Sequence, residues 1–231
     1  MSDQRHHPDD STIPLLSEQD MAQMRVIGRI AASTLDFVGS RLKAGMTTLQ
    51  IDRLVRVQTK RHNASPSQLG FHGFPATVCT SRNEVVCHGI PSRWVRLRQG
   101  DIINVDITSN LGGFHGDTSR TFLIGPVSAE ARHVVTTARR CMEAGIAAIQ
   151  PGRQLGEIGH AILELATAEG CSVVSDFGGH GIGRQMHLPP HVDHTGRLNA
   201  DLTIVPGMGL TVEPMLNLGT ADVVLMSDGW T

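Results

Sequence analysis

The sequence predicts an α+β fold in which helices cover an antiparallel sheet. A repeated layout, short strand-like segments and a hairpin turn carry that expectation. The stretches "FVGSRLKAGMTTLQIDRLV" (37–55) and "GIAAIQPGRQLGEIGHAIL" (145–163) share one plan. In each, a helix ends near a glycine, Gly45 or Gly152, an apolar position follows, Leu49 or Leu155, and an amphipathic helix begins. Strand-like segments come after both, and the turn "NLGG" favours antiparallel pairing.

The elements follow in chain order. Residues 1–17, "MSDQRHHPDDSTIPLLS", are polar and read as a flexible tail, leaving 18–231 as one domain. Apolar residues at helical spacing mark the two amphipathic helices. They are Leu49, Ile51, Leu54 and Val55 in the first, and Leu155, Ile158, Ala161, Ile162 and Leu165 in the second. Strands are expected at 76–80, 84–88, 102–109 and 114–124, then at 171–177, 202–205 and 209–217.

Composition narrows the partners. The chain has 231 residues, 40% hydrophobic and 18% charged, which is ordinary for a soluble globular protein. A formal net charge of −2 gives no electrostatic case for nucleic acid or a membrane surface. The first 17 residues contain no apolar run long enough for a signal peptide or a span. Cys79, Cys87, Cys141 and Cys171 form no CxxC pair, which suits reduced thiols and a cytoplasmic location.

The stretch "DIINVDITSNLGGFHGDTSR" (101–120) reads as a hairpin with one aspartate on each strand. A turn centred between Leu111 and Gly112 places Asp106 directly opposite Asp117. The same face then carries Asn104, Thr108, His115, Ser119 and Thr121. Ile103, Val105, Ile107, Phe122 and Ile124 take the other face. Like charges opposed across paired strands repel, unless a cation sits between them. A solvated surface hairpin is the plainer alternative on this segment alone.

The second half supplies further donors in "DFGGHGIGRQMHLPPHV" and "GLTVEPML". His180 lies among glycines whose backbone permits close approach, and Glu213 sits in an apolar strand where an unpaired carboxylate is costly. Two aspartates, a glutamate and an imidazole suit Mn, Fe(II), Co or Zn. An aspartate shared between two ions roughly 3.5–4 Å apart is the two-metal hydrolase arrangement, in which a bridging water is acidified.

These motifs resemble the type I methionine aminopeptidases of the short bacterial form. The resemblance runs from about residue 18 through "GFHGFPATVCTSRNEVVCHGIP", "GDIINVDITSNLGGFHGDTSRTF", "GGHGIGRQMH", "GMGLTVEPM" and "SDGWT". It implies the pita-bread fold with two pseudo-symmetric halves, and a metal-dependent enzyme with two divalent ions. Such an enzyme removes the initiator methionine of nascent polypeptides when the second residue is small. Asp106 would ligate one metal, Asp117 would bridge both, and His180 and Glu213 would ligate the other. His88 and His187 would hydrogen-bond the scissile peptide, and Glu213 would relay a proton to the leaving amine.

By the same resemblance Phe71, Phe74, Cys79, Met186 and Trp230 line the methionine pocket, with His72 alongside. Phe71 and Phe74 stand where the family often has tyrosine, and Met186 where it has phenylalanine. "HLPPHV" departs from the common "HEEP" form, and the additional His191 reads as a surface-loop residue. The resemblance also implies a final strand carrying a bridging glutamate, whereas this chain ends at Thr231, so the domain is expected to be truncated there. A monomer without nucleic-acid or membrane partners is expected. A catalytically impaired binding module and a proline-specific aminopeptidase are the alternatives.

Overall fold

The computed structural model describes residues 13–197 and 200–231. Its described residues fall into two compact units, one of residues 22–136 and 222–231, the other of residues 137–221 with the start of the chain through Met21. The expected tail reaches beyond the described residues over 1–12. Within the rest of it, the Leu16 N–H donates to the Gly207 carbonyl at 2.7 Å. Among the described residues no helix is long and apolar enough to cross a membrane.

In the 22–136 unit, α1 (Glu18–Gly39) buries Ile27, Ala31, Thr34, Leu35 and Val38, a single stripe at helical spacing. Helix α2 (Thr48–Arg61) starts at a capping box. The Gln50 N–H donates to the Thr47 hydroxyl and the Gln50 side chain accepts from the Thr47 N–H. Ile51 and Val55 point inward from α2 as the pattern predicts. Asp52, also buried, accepts from the Thr77 N–H and hydroxyl at 2.8 and 2.7 Å, so its charge is hydrogen-bonded.

A four-stranded antiparallel sheet is built around β3 (Ile102–Leu111). β4 (Phe114–Leu123) pairs with its whole length, while β2 (Cys79–Arg82) and β1 (Ser65–Pro66) share the other edge. Ile103, Val105 and Ile107 turn to the helices and join Leu35, Val38, Ile51, Val55, Val78, Leu97 and Ile124 in one core. The expected strand at 84–88 is absent. That segment is a turn and irregular loop, because Asn83 and His88 both take positive φ, 53° and 54°, which breaks extended pairing.

The 137–221 unit repeats the order of helices followed by short strands. Helix α3 (Ala129–Ala148), which straddles the division, is followed by α4 (Gly156–Ala168). β5 (Ser172–Val173) pairs with β8 (Leu216–Asn217), and β6 (Gly179–Gly181) with β7 (Leu188–Val192). Its core joins Cys141, Leu155, Ile158, Ile162, Ala166, Cys171, Val173, Val192 and Ile204. The expected strands here shrink to short pairs and isolated bridges, Gln154 with Thr203 and Gly181 with Leu210.

Candidate active site

The hairpin's turn sits one residue later than expected. Gly112 and Gly113 form its two-residue loop with φ of 61° and 83°, conformations that glycine adopts at no steric cost. Asp106 therefore faces Ser119 and Asp117 faces Thr108, rather than each other. Moving the centre by one residue shifts the register by two, so every side chain keeps its expected face. The aspartates remain on one side of the sheet as diagonal neighbours.

Gln68, 7% exposed, was not singled out by the sequence and grips Asp106. Its Nε2 donates to the Asp106 carbonyl at 3.1 Å and to carboxylate Oδ2 at 3.3 Å, while its Oε1 accepts from the Thr108 N–H at 3.4 Å. The same amide lies 3.6 Å from the Cys79 sulfur, and Cys79 pairs with Asp106 across β2 and β3. Burial pushes the Cys79 thiol well up, and the carboxylate of Asp106 pushes it further. Cys79 is thus a neutral, soft wall beside the aspartates and not a nucleophile.

That wall is extended by aromatics. Phe74, Ala76 and Cys79 are buried together, with Ile90 and Trp230 against them. The Trp230 ring stands edge-on to Phe74 at 5.1 Å and to His88 at 5.9 Å. The expected pocket residues Phe74, Cys79 and Trp230 are therefore brought together beside His88, and Ile90 joins them. Phe71 and His72 contact each other at 4.3 Å and are less buried. Burial pushes the His88 imidazole below its ordinary value.

In the 137–221 unit, β6 presents His180 in contact with Glu213. The His180 Nδ1 lies 2.9 Å from the Gly181 carbonyl oxygen, which can only accept, so Nδ1 carries the proton. Nε2, the other ring nitrogen, lies 3.4 Å from Glu213 Oε1. An imidazole nitrogen and a carboxylate oxygen this close share either a proton or a metal cation. The donor chemistry therefore fits a divalent ion, with the imidazole oriented by its second nitrogen in the way metal-ligating histidines are.

Thr211 and His194 hold this pair in place. The Thr211 hydroxyl donates to Glu213 Oε1 at 2.6 Å and accepts from the His180 N–H at 2.9 Å. His194, 1% exposed, accepts the Glu213 N–H on Nε2 at 3.2 Å. Burial, with His191 nearby, pushes it down to about 4, so it stays neutral and keeps that lone pair. His187 stacks edge-on against His180 at 4.2 Å. Met186 is buried in this unit. His191, read as a surface-loop residue, instead lies in β7 opposite His180, because the proline-rich run pairs with β6.

The expected donors thus appear as two pairs, Asp106 with Asp117 and His180 with Glu213. Among the described residues no group of three or more His, Cys, Asp or Glu side chains stands at metal-holding distances. Thr211 was findable in "TVEP", two residues before Glu213 on the same face. Gln68 and His194 left no local signal.

Comparison with known proteins gives concordant matches. The model of metallopeptidase family M24 matches residues 22–230. Methionine aminopeptidase A of Synechocystis sp. is 46% identical over 220 residues, covering 95% of this chain and 87% of that protein. Methionine aminopeptidase of Rickettsia prowazekii is 43% identical over 221 residues, covering 95% and 85%. A crystal structure of methionine aminopeptidase from Rickettsia prowazekii superposes with a TM-score of 0.92 at 42% identity, covering 95% of this chain and 88% of that one.

Proposed function

The chain belongs to metallopeptidase family M24 and has its pita-bread, α+β fold, and on that premise we infer that it is a metal-dependent aminopeptidase releasing N-terminal methionine. Its substrate is the free amino terminus of a nascent polypeptide whose second residue is small. The observation that carries this reading is the pairing of the His180 imidazole with the Glu213 carboxylate, Nε2 to Oε1 at 3.4 Å, with Nδ1 anchored on the Gly181 carbonyl. The Thr211 hydroxyl orients the pair, donating to Glu213 and accepting from the His180 N–H, as partners of metal ligands do.

Asp106, Asp117, His180 and Glu213 are the residues that would hold the metal, as two ions drawn from Mn, Fe(II), Co or Zn, the class their hard oxygen and imidazole donors favour. Bound there, the ions supply an acidified water and a Lewis acid for the scissile carbonyl. Glu213 accepts the proton of the attacking water on its carboxylate and returns it to the departing amide nitrogen. His88 and His187 donate hydrogen bonds to the peptide oxygen as charge develops on it.

Specificity for methionine follows from the wall around Cys79. A thioether is apolar and polarisable, and it packs well on ring edges and a neutral thiol. Phe74, Cys79 and Trp230 form that surface, with Phe71, His72 and Met186 completing the set that contacts the side chain. The enzyme acts on peptide as a cytoplasmic monomer.

Hydrolysis of a peptide panel tests the reading. Met-Ala-Ser is expected to exceed both Met-Leu-Ser and Ala-Pro in kcat/KM by about 100-fold or more. Preference for Ala-Pro would instead make the chain a proline-specific aminopeptidase. Peptide binding without hydrolysis of any of the three would make it a binding module.

A further inference from the structure

Beyond the loop carrying His88, the chain runs Arg93-Trp94-Val95-Arg96-Leu97-Arg98, with no acidic residue between Glu84 and Asp101. The segment is rigidly placed. The Thr48 N–H donates to the Val95 carbonyl at 3.0 Å, Leu97 N–H to Met46 at 2.8 Å and Gly45 N–H to Leu97 at 2.8 Å. The Asp101 carboxylate accepts the Arg98 N–H at 2.8 Å. Together with Gly45 and Arg82, residues 94–98 line a cavity of about 410 Å³. Val95 supplies apolar surface, while Arg82, Arg96, Arg98 and Trp94 supply charge and a ring.

Two of the guanidiniums are fixed in orientation. Arg82 Nη1 donates to the Arg96 carbonyl at 2.9 Å and to Asp101 at 3.3 Å, and Arg96 Nη1 donates to the Gly45 carbonyl at 2.8 Å. Each such contact uses one of a guanidinium's five donors, so several remain for a ligand. Three cations in the lining face one paired carboxylate, a surplus of positive charge inside a concave surface. Trp94 is 78% exposed, and the Arg93 guanidinium covers one face of its ring at 4.4 Å. A large aromatic left in water beside oriented arginines is the combination that stacks a base and grips its phosphate.

We propose that this cavity binds a phosphorylated nucleoside, its base stacked on the ring of Trp94 and its phosphate held by Arg96 and Arg98. The ligand is either a free nucleotide or one nucleotide of a single-stranded RNA. The expectation of no nucleic-acid partner rested on total charge and on bases that form no stripe along the sequence, and neither reveals a surplus gathered at one cavity. The site is separate from the residues assigned to peptide hydrolysis.

Fluorescence anisotropy of N-methylanthraniloyl-ADP and of a fluorescein-labelled hexauridylate, each titrated with the full chain, tests this. At least one probe is expected to saturate below about 1 mM chain, with affinity falling as salt rises. Trp94→Ala and Arg98→Ala are each expected to weaken binding about tenfold. Both should leave methionine release unchanged. Tighter binding of the nucleotide identifies a free-nucleotide site, and tighter binding of the oligonucleotide with a steeper salt dependence identifies RNA. AMP should displace the probe at about one tenth of the concentration that inorganic phosphate requires. Failure of both probes to bind, variants that bind like the parent, or displacement by hexaglutamate as effective as by AMP would each overturn the proposal. The last would make the cavity a surface for acidic peptides.

Discussion

Gln68 holds Asp106 through both its backbone carbonyl and its carboxylate, and fixes the neighbouring Thr108 N–H with the other end of the same amide. In the metal-ligand role proposed for Asp106, removing a partner of this kind typically alters affinity or activity by about 10–100-fold. Gln68→Met, which keeps the volume and loses the amide, is therefore expected to weaken Mn(II) binding at least about tenfold by isothermal titration. A purely structural role would lower the urea midpoint and leave the Mn(II) affinity alone, and that outcome would refute the assignment. The four expected donors were legible as single residues because each is a polar group in an apolar or glycine-rich setting, where it needs a reason. Gln68 was not, because its partner lies 38 positions away and side chains that meet across such a separation leave no local period. His194, 19 positions before Glu213, was hidden for the same reason.

At the level of elements, close approach is the controlling feature of α1 on β4. A methyl group on Gly116 would stand 2.8 Å from the Ile27 carbonyl carbon and oxygen, both in the helix backbone. Neither backbone can yield without moving the helix off the sheet. Gly116→Ala is thus expected to destabilise the protein by about 1–3 kcal/mol, read as a lowered urea midpoint. Gly28→Ala, on α1 with nothing within 4 Å of the added methyl, should instead stabilise by up to about 1 kcal/mol through helix propensity. Equal effects at the two positions would refute this account. Helices α2 and α4 were readable because their apolar spacing matches a turn of helix, and the capping box marks where α2 begins. The hairpin was readable in its faces and misplaced in its centre, since only the positive φ of both glycines decides which pair makes the loop. β7 was missed because two prolines argue against a strand, and 84–88 was overread because valines there outvoted the left-handed Asn83 and His88.

For the molecule as a whole, the α+β class and the recurrence of two helices followed by short antiparallel strands were both present in the pattern of apolar residues. The short pairs of the 137–221 unit were not, because strands of two or three residues carry too few side chains to show an alternation. The proposed donors follow the same plan, two carboxylates in the 22–136 unit and an imidazole with a carboxylate in the 137–221 unit. The central claim is that these four residues make a metal-dependent aminopeptidase. The most direct measurement is methionine release from Met-Ala-Ser by the purified chain as Mn(II) or Co(II) is titrated in, beside Asp117→Ala. The account predicts turnover that rises with metal, is abolished by chelation and falls at least about 100-fold in the variant. Turnover that persists without metal, or an Asp117→Ala protein as active as the parent, would contradict it.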